Sequence, residues 1–345
     1  LANIILPLPA AAFFATEFTD ALGKNMFGML GYLIPSDMSK SGFQLGYINP
    51  MWSLFISRNM DFAFRPYQKA WLFDSKNGVS FTINNPINFG EYPSSNHLFY
   101  AGATIINHNV TVGKKTDKET GELIPLDNSN YVDLPIPESG NDGFITLGYQ
   151  WLNRRPHKIN NIAPKDGFGI SGLIDYANKN LFGDFSFTRF ESDVFANVPV
   201  NKDGSLVAYF RLKSMLLSGK PPAQEYVGLT DDVPIYLQGA APSRVIPENH
   251  NPRGWSGYRL GDKLLFGTAE LRQAMGPISL NLISDFGNAW FSNSEKEKMV
   301  VTTGYELRFA LGPLIIAGGE AQELDGWEND HKPVRYYRLV LTNPF

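Results

Sequence analysis

Apolar and polar residues alternate with a period of two along much of the chain, most clearly near its C-terminal end. Over 301–311 one parity reads Val301, Thr303, Tyr305, Leu307, Phe309 and Leu311, and the other reads Thr302, Gly304, Glu306, Arg308 and Ala310. Successive side chains of a pleated strand point to opposite faces, so such a run predicts a strand with one apolar and one polar face. The alternation recurs over 206–213, 144–151 and 167–176. Each stretch is close to the roughly 9–11 residues that a tilted membrane-crossing strand needs. Counting back from the C-terminus, strands are predicted at 334–345, 313–321, 299–311, 278–290, 262–273 and 204–214. Shorter ones are predicted at 27–34, 42–48, 52–57, 61–64, 79–83 and 98–104. The total is about 14 to 16 strands, and 16 fits the parity best.

A soluble sandwich would also alternate, with its polar faces in bulk water. Loop lengths separate the two cases. Tight turns at Met275-Gly276-Pro277 and Gly312-Pro313 alternate with longer polar connections at 292–298 and 322–332. Two connections, 104–142 and 215–261, are very long, and both fall on the long-loop side by parity. Short turns on one rim and long loops on the other characterise outer-membrane barrels. The expectation is therefore an all-β, transmembrane antiparallel β-barrel occupying 1–345 as one domain, with 104–142 as a long extracellular loop.

Composition agrees. With 25 Phe, 15 Tyr and 32 Gly but only 19% charged residues, the chain suits many turning strands. A mean hydropathy of −0.18 resembles that of a soluble protein, but a barrel with a polar interior averages to the same value. The longest apolar stretch at the N-terminus, 1–15, is too short for a membrane helix and is interrupted by Pro7 and Pro9. It also lacks the basic region of a signal peptide.

Chemistry is sparse. The net charge is −4 with dispersed Lys and Arg, which gives no electrostatic support for nucleic-acid binding. Absence of cysteine excludes disulfides, thiolate metal sites and a cysteine nucleophile. His97, His108, His157, His250 and His331 are placed in rims and loops without metal-ligand spacing. Ser95 and His97 are too common a pair to indicate a hydrolase. No nucleophile elbow or Walker loop occurs, Gly167-Phe168-Gly169 reads as strand glycine, and 113–122 reads as a solvated loop. Neither an enzyme, a metal nor a cofactor is expected.

Three segments carry a family resemblance. The first is Asn251-Pro252-Arg253-Gly254-Trp255-Ser256-Gly257-Tyr258, the second Gly267-Thr268-Ala269-Glu270-Leu271-Arg272, and the third Ser284-Asp285-Phe286-Gly287-Asn288-Ala289-Trp290. In this order they resemble the barrel of the BamA and TamA superfamily of the bacterial surface antigen type, which includes two-partner-secretion transporters. The resemblance is specific over 250–345. It implies that 215–261 inserts into the lumen with Arg253, Gly254 and Trp255 at its tip, and that Glu270 and Asp285 receive the arginine. Pro252 stands where the family prefers an aliphatic residue, and Trp255 where Phe or Tyr is usual.

Parity agrees with this placement. Asp285 shares a face with Ser279, Asn281 and Gly287, and Glu270 shares one with Thr268 and Arg272. An arginine fork matches a carboxylate in a geometry that lysine cannot reproduce. Gly254 permits a positive φ or a close backbone approach, and Trp255 supplies apolar area. At the end of the chain Tyr337, Leu339, Leu341 and the terminal Phe345 share one parity, which resembles the recognition signal of outer-membrane barrels.

The resemblance implies a Gram-negative outer-membrane location, with insertion of outer-membrane proteins or translocation of polypeptide through a lateral seam. The implied partners are outer-membrane lipids, client polypeptides, and periplasmic or lipoprotein subunits. The family's POTRA domains, which precede its barrel, find no room among strands that begin so early in this sequence. A passive pore, a structural barrel subunit of an envelope complex, or the membrane anchor of a larger protein are the alternatives.

Overall fold

The computed structural model describes residues 2–7, 12–21, 24–35, 41–65, 70–88, 96–112, 114–116, 123–125, 138–153, 165–230, 252–255, 257–294, 298–311, 314–324 and 332–341. Its strands are β1 (Ala2–Pro7), β2 (Ala12–Thr19), β3 (Met26–Leu33), β4 (Gly42–Ile48), β5 (Trp52–Arg65), β6 (Ala70–Asn88), β7 (Asn96–Val112), β8 (Lys114–Thr116), β9 (Leu123–Pro125) and β10 (Gly140–Asn153). They continue with β11 (Gly167–Ala177), β12 (Ser186–Pro199), β13 (Leu206–Lys220), β14 (Val227–Thr230), β15 (Tyr258–Gly261), β16 (Lys263–Met275), β17 (Ile278–Trp290), β18 (Val300–Leu311), β19 (Leu314–Glu323) and β20 (Val334–Leu341). Sixteen of them form one sheet in chain order, each antiparallel to the next, while β8 pairs with β9 and β14 with β15.

Burial is inverted relative to a water-soluble protein. On β17, Leu280 and Leu282 are 43% and 58% exposed, whereas Ser279, Asn281 and Asp285 are at most 1% exposed. On β18, Tyr305, Leu307 and Phe309 face outward while Glu306 and Arg308 are buried. Apolar side chains outside and charged ones inside place hydrocarbon around the sheet and a polar lumen within it.

Aromatic pairs mark one edge of the apolar band. Tyr47 and Trp52 lie 4.6 Å apart, Phe99 and Tyr149 4.8 Å, and Trp151 and Phe168 4.8 Å, all near the rim of short turns. Such girdles form where amphipathic rings meet the headgroups. That rim's turns are closed locally. Asn49 Oδ1 accepts from the Met51 and Trp52 amides at 2.8 and 2.9 Å, and Gly276 takes φ +64 between β16 and β17, a conformation that glycine adopts without steric cost.

Several elements depart from the sequence expectation. Segments 52–57 and 61–64 are one strand, β5, and β1 and β2 occupy a stretch where no strand was expected. The long connections are shorter than 104–142 and 215–261, because β7 runs to Val112, β10 starts at Gly140 and β13 runs to Lys220. Polar residues that bond to neighbours across the ladder extend these strands. His108, for example, is buried on β7 with its Nδ1 2.7 Å from Asp74 Oδ2 of β6. Thus His97 and His108 belong to a strand and not to loops, while Ser95, His157, His250 and His331 lie outside the described residues. The expected loop 113–122 contributes β8 to a small hairpin. On β20, Tyr337 is 85% exposed. Leu339 and Leu341 continue the same strand, and Phe345 lies outside the described residues.

Candidate functional site

The tip of the connection between β13 and β16 is a four-residue turn. The Trp255 amide donates to the Pro252 carbonyl at 3.1 Å, and Gly254 has φ +83 at the third position, as a type II turn requires. A Cβ on Gly254 would lie 2.4 Å from the Ala321 carbonyl oxygen and 2.7 Å from its Cβ. The glycine thus seats the turn on β19, beside the Gly304 and Ala321 register pair. Gly254→Ala should weaken this seating by about 1–3 kcal/mol through backbone strain and displacement, read as faster proteolysis of 252–261.

The turn aims Arg253 at the lumen faces of β16, β17 and β18. Its Nε and Nη2 donate to Asp285 Oδ2 and Oδ1, each at 2.6 Å, and its backbone N–H reaches Oδ2 at 2.9 Å. Nη1 donates to Glu270 Oε1 and Nη2 to Thr268 Oγ1, both at 2.8 Å. Glu306 Oε1 lies 3.6 Å from Nη1. Bidentate, charge-assisted bonds of this kind are the strongest available to neutralise a buried cation. Burial opposes the charge on Arg253, but its bonds to Asp285 and the fields of Asp285, Glu270 and Glu306 together hold its pKa well above the usual arginine range.

Two further arginines complete the cluster. Arg272 Nε donates to Glu270 Oε2 at 2.6 Å, and its guanidinium lies 3.7 Å from the centre of the Tyr209 ring. Arg308 Nη2 reaches both Glu270 oxygens, at 2.9 and 2.7 Å, and its Nε donates to Glu306 Oε1 at 2.5 Å. Arg253, Arg272 and Arg308 therefore balance Glu270, Asp285 and Glu306. The structure brings Arg253, Glu270 and Asp285 together. Arg308 and Glu306 lie on the polar parity of 301–311, but their convergence on Glu270 depends on register across three strands, which alternation does not reveal.

A second ionic contact has the opposite polarity. Glu225, in a 3-10 turn (Ala223–Glu225) of the same connection, pairs with Arg189 Nη1 of β12. Arg189 also donates to Asp175 of β11, with Nε at 2.9 Å, and its Nε lies 3.2 Å from Glu191. Next to Glu225, Gln224 exchanges two hydrogen bonds with the Glu138 backbone, at 2.9 and 3.0 Å, joining the two long connections. Between the two contacts Val227, Leu229 and Trp255 pack with Phe144, Phe187, Leu264 and Val300 in one buried apolar cluster. Arg259 lies over the Trp255 ring and donates to Asn288 at 2.9 Å. Nothing in the sequence pattern signalled the Arg189 and Glu225 pair.

The two contacts differ electrostatically. Withdrawing Glu225 leaves Arg189 with Asp175 and Glu191, whereas withdrawing Arg253 leaves an excess of buried carboxylate. Glu225→Gln should consequently cost about 1 kcal/mol or less, and hydrogen exchange should increase at 223–230 while 252–255 stays protected. Among the described residues no group of His, Cys, Asp and Glu could hold a metal.

No protein-family model and no curated protein sequence matches the chain. Among solved structures, the crystal structure of BamA from Haemophilus ducreyi lacking POTRA domains 1–3 aligns with a TM-score of 0.63 and 12% identity over 96% of this chain and 66% of that one. CdiB from Acinetobacter baumannii aligns at TM-score 0.59 and 10% identity, covering 96% of this chain and 56% of that one. CdiB from Escherichia coli gives 0.60 and 10%, covering 96% and 59%. The chain thus spans between 56% and 66% of the length of these structures. The likeness extends well beyond residues 250–345, where the motifs lie, and the chain has the barrel fold that BamA and CdiB share.

Proposed function

We propose that this chain is an outer-membrane barrel that inserts outer-membrane proteins or translocates polypeptide through a seam between β1 and β20. The observation that carries the reading is the Arg253 turn, folded onto Asp285, Glu270 and Glu306 inside a barrel of the BamA and CdiB fold. Val227, Leu229 and Trp255 pack in one buried cluster with wall residues, which favours a seated connection over an open conducting pore. In the proposed mechanism, the turn and its carboxylates stiffen the wall formed by β16 to β19, so that strain concentrates at the weaker seam. There the end strands offer backbone groups that hydrocarbon leaves unsatisfied, and a client strand that pairs with them is stabilised. No covalent step is involved. The partners in this reading are outer-membrane lipids, client polypeptides, and periplasmic or lipoprotein subunits.

Because the chain contains no cysteine, paired cysteines on β1 and at Leu339 of β20 can lock the seam cleanly. Client insertion or secretion should stop under oxidation and return on reduction. Undiminished activity in the locked barrel would reject the lateral route.

A further inference from the structure

One row of residues crosses the outward face of β5, β6, β7 and β10 in register: Arg58 pairs with Asn77, Asn77 with Asn107, and Asn107 with Asn141. One step nearer the short-turn rim, Ile56, Val79 and Ile105 form an apolar row on the same face. Arg58 is exposed and has no carboxylate partner among the described residues. Asn107 Nδ2 donates to Asn141 Oδ1 at 2.8 Å. At the far end of the row Asp184 accepts from the Asn141 amide at 2.7 Å, about 14 Å from Arg58 at the usual spacing of neighbouring strands.

The position of the row is informative. On β7 the outward residues run Phe99, Ala101, Ala103, Ile105 and then Asn107. From Phe99 in the aromatic girdle to Asn107 is about 26 Å along the strand, or about 20 Å across a membrane at the usual tilt. That distance is close to the roughly 25 Å height of an apolar barrel band. Arg58 and its neighbours therefore share the row at which the apolar run of β7 ends, in the leaflet on the long-loop side. A shallow groove of about 460 Å³ runs beside Arg58, Asn77 and Asn107 and is lined by Phe43, Ile56, Val79 and Ile105.

We propose that Arg58, Asn77 and Asn107 bind the headgroup of a phosphate-bearing lipid in that leaflet, with an acyl chain lying in the groove. The proposal rests on the outward face being the lipid face and is independent of the lumen turn. An arginine facing lipid with no anion beside it among the described residues is complementary to phosphate, which it can grip through two parallel N–H donors. The neighbouring amides add donors for the remaining phosphate or sugar oxygens, and the apolar groove explains why the occupant would be a lipid instead of a soluble anion.

The test is native mass spectrometry of the full chain in detergent, titrated with bisphosphorylated lipid A, with its enzymatically dephosphorylated form, or with inorganic phosphate. The wild type should retain one bisphosphorylated lipid. Arg58→Ala should lower that occupancy roughly tenfold, the worth of one charge-assisted contact. Val79→Trp, which fills the groove and keeps the charge, should lower it as well, and heat-modifiable gel mobility should report an intact barrel in each case. Arg58→Gln replaces Arg58→Ala if the latter does not fold. Equal retention by wild type and the charge-free variants, equal binding of the dephosphorylated lipid, or displacement by inorganic phosphate would overturn the proposal.

Discussion

Replacing Arg253 with alanine should detach the 252–261 segment from the lumen wall at a cost of about 3–5 kcal/mol, the usual penalty for removing one partner of a buried charge cluster. Asp285 suffers most. It is 1% exposed and takes three of its bonds from Arg253, with Thr268 supplying another. Arg272 and Arg308 cannot compensate because both are committed to Glu270. Arg253→Lys should rescue poorly, since one ammonium cannot meet both Asp285 oxygens, Glu270 and Thr268 together. Hydrogen exchange and limited proteolysis of 252–261, with single-channel conductance, would measure the release. Unchanged protection in Arg253→Ala would mean that apolar packing of Trp255, Val227 and Leu229 alone holds the segment. The lock should be insensitive to pH on its cationic side. A raised pKa confers stability that is complete below the unfolded value and lost only as pH passes the folded one, which here lies above any working range.

The second large effect concerns the lipid face. Leu282→Arg should destabilise the folded barrel by about 2–4 kcal/mol, the cost of an arginine at the membrane midplane. Its neighbour Asn281 points into the lumen, where Nδ2 donates to the Glu306 carbonyl at 3.2 Å. Asn281→Leu, which also loses the bond accepted from Ser279 Oγ at 2.6 Å, should cost less, about 1–2 kcal/mol for two lost hydrogen bonds. Reversible urea titration in vesicles separates the two variants. In a water-soluble sandwich the outward Leu282→Arg change would be harmless, and that result would refute the inverted face assignment.

What the sequence made legible was local. On β18, around Glu270 on β16 and around Asp285 on β17, alternation is clear, so these strands and the inward faces of Glu270 and Asp285 could be read directly. Gly254 was equally readable, because only a turn or a tight approach demands glycine beside an anchoring arginine. β1 and β2 were obscured by Pro7 and by an apolar run that lacks a clear polar parity. Interactions set by register were hidden as well. Arg308 and Glu270 are far apart in sequence and meet only because β16, β17 and β18 pair in one specific alignment. Arg189 and Glu225 meet because the connection after β13 folds back across β12, and a long loop carries no periodicity from which such a path could be inferred.

The Arg253 and Asp285 pair holds the connection between β13 and β16 in the lumen. A double-mutant cycle of Arg253→Ala and Asp285→Ala, read as the opening free energy of the Trp255 amide by hydrogen exchange, tests it most directly. A coupling of about 1.5–3 kcal/mol is expected for groups in such contact, whereas additivity within about 0.5 kcal/mol would contradict the account.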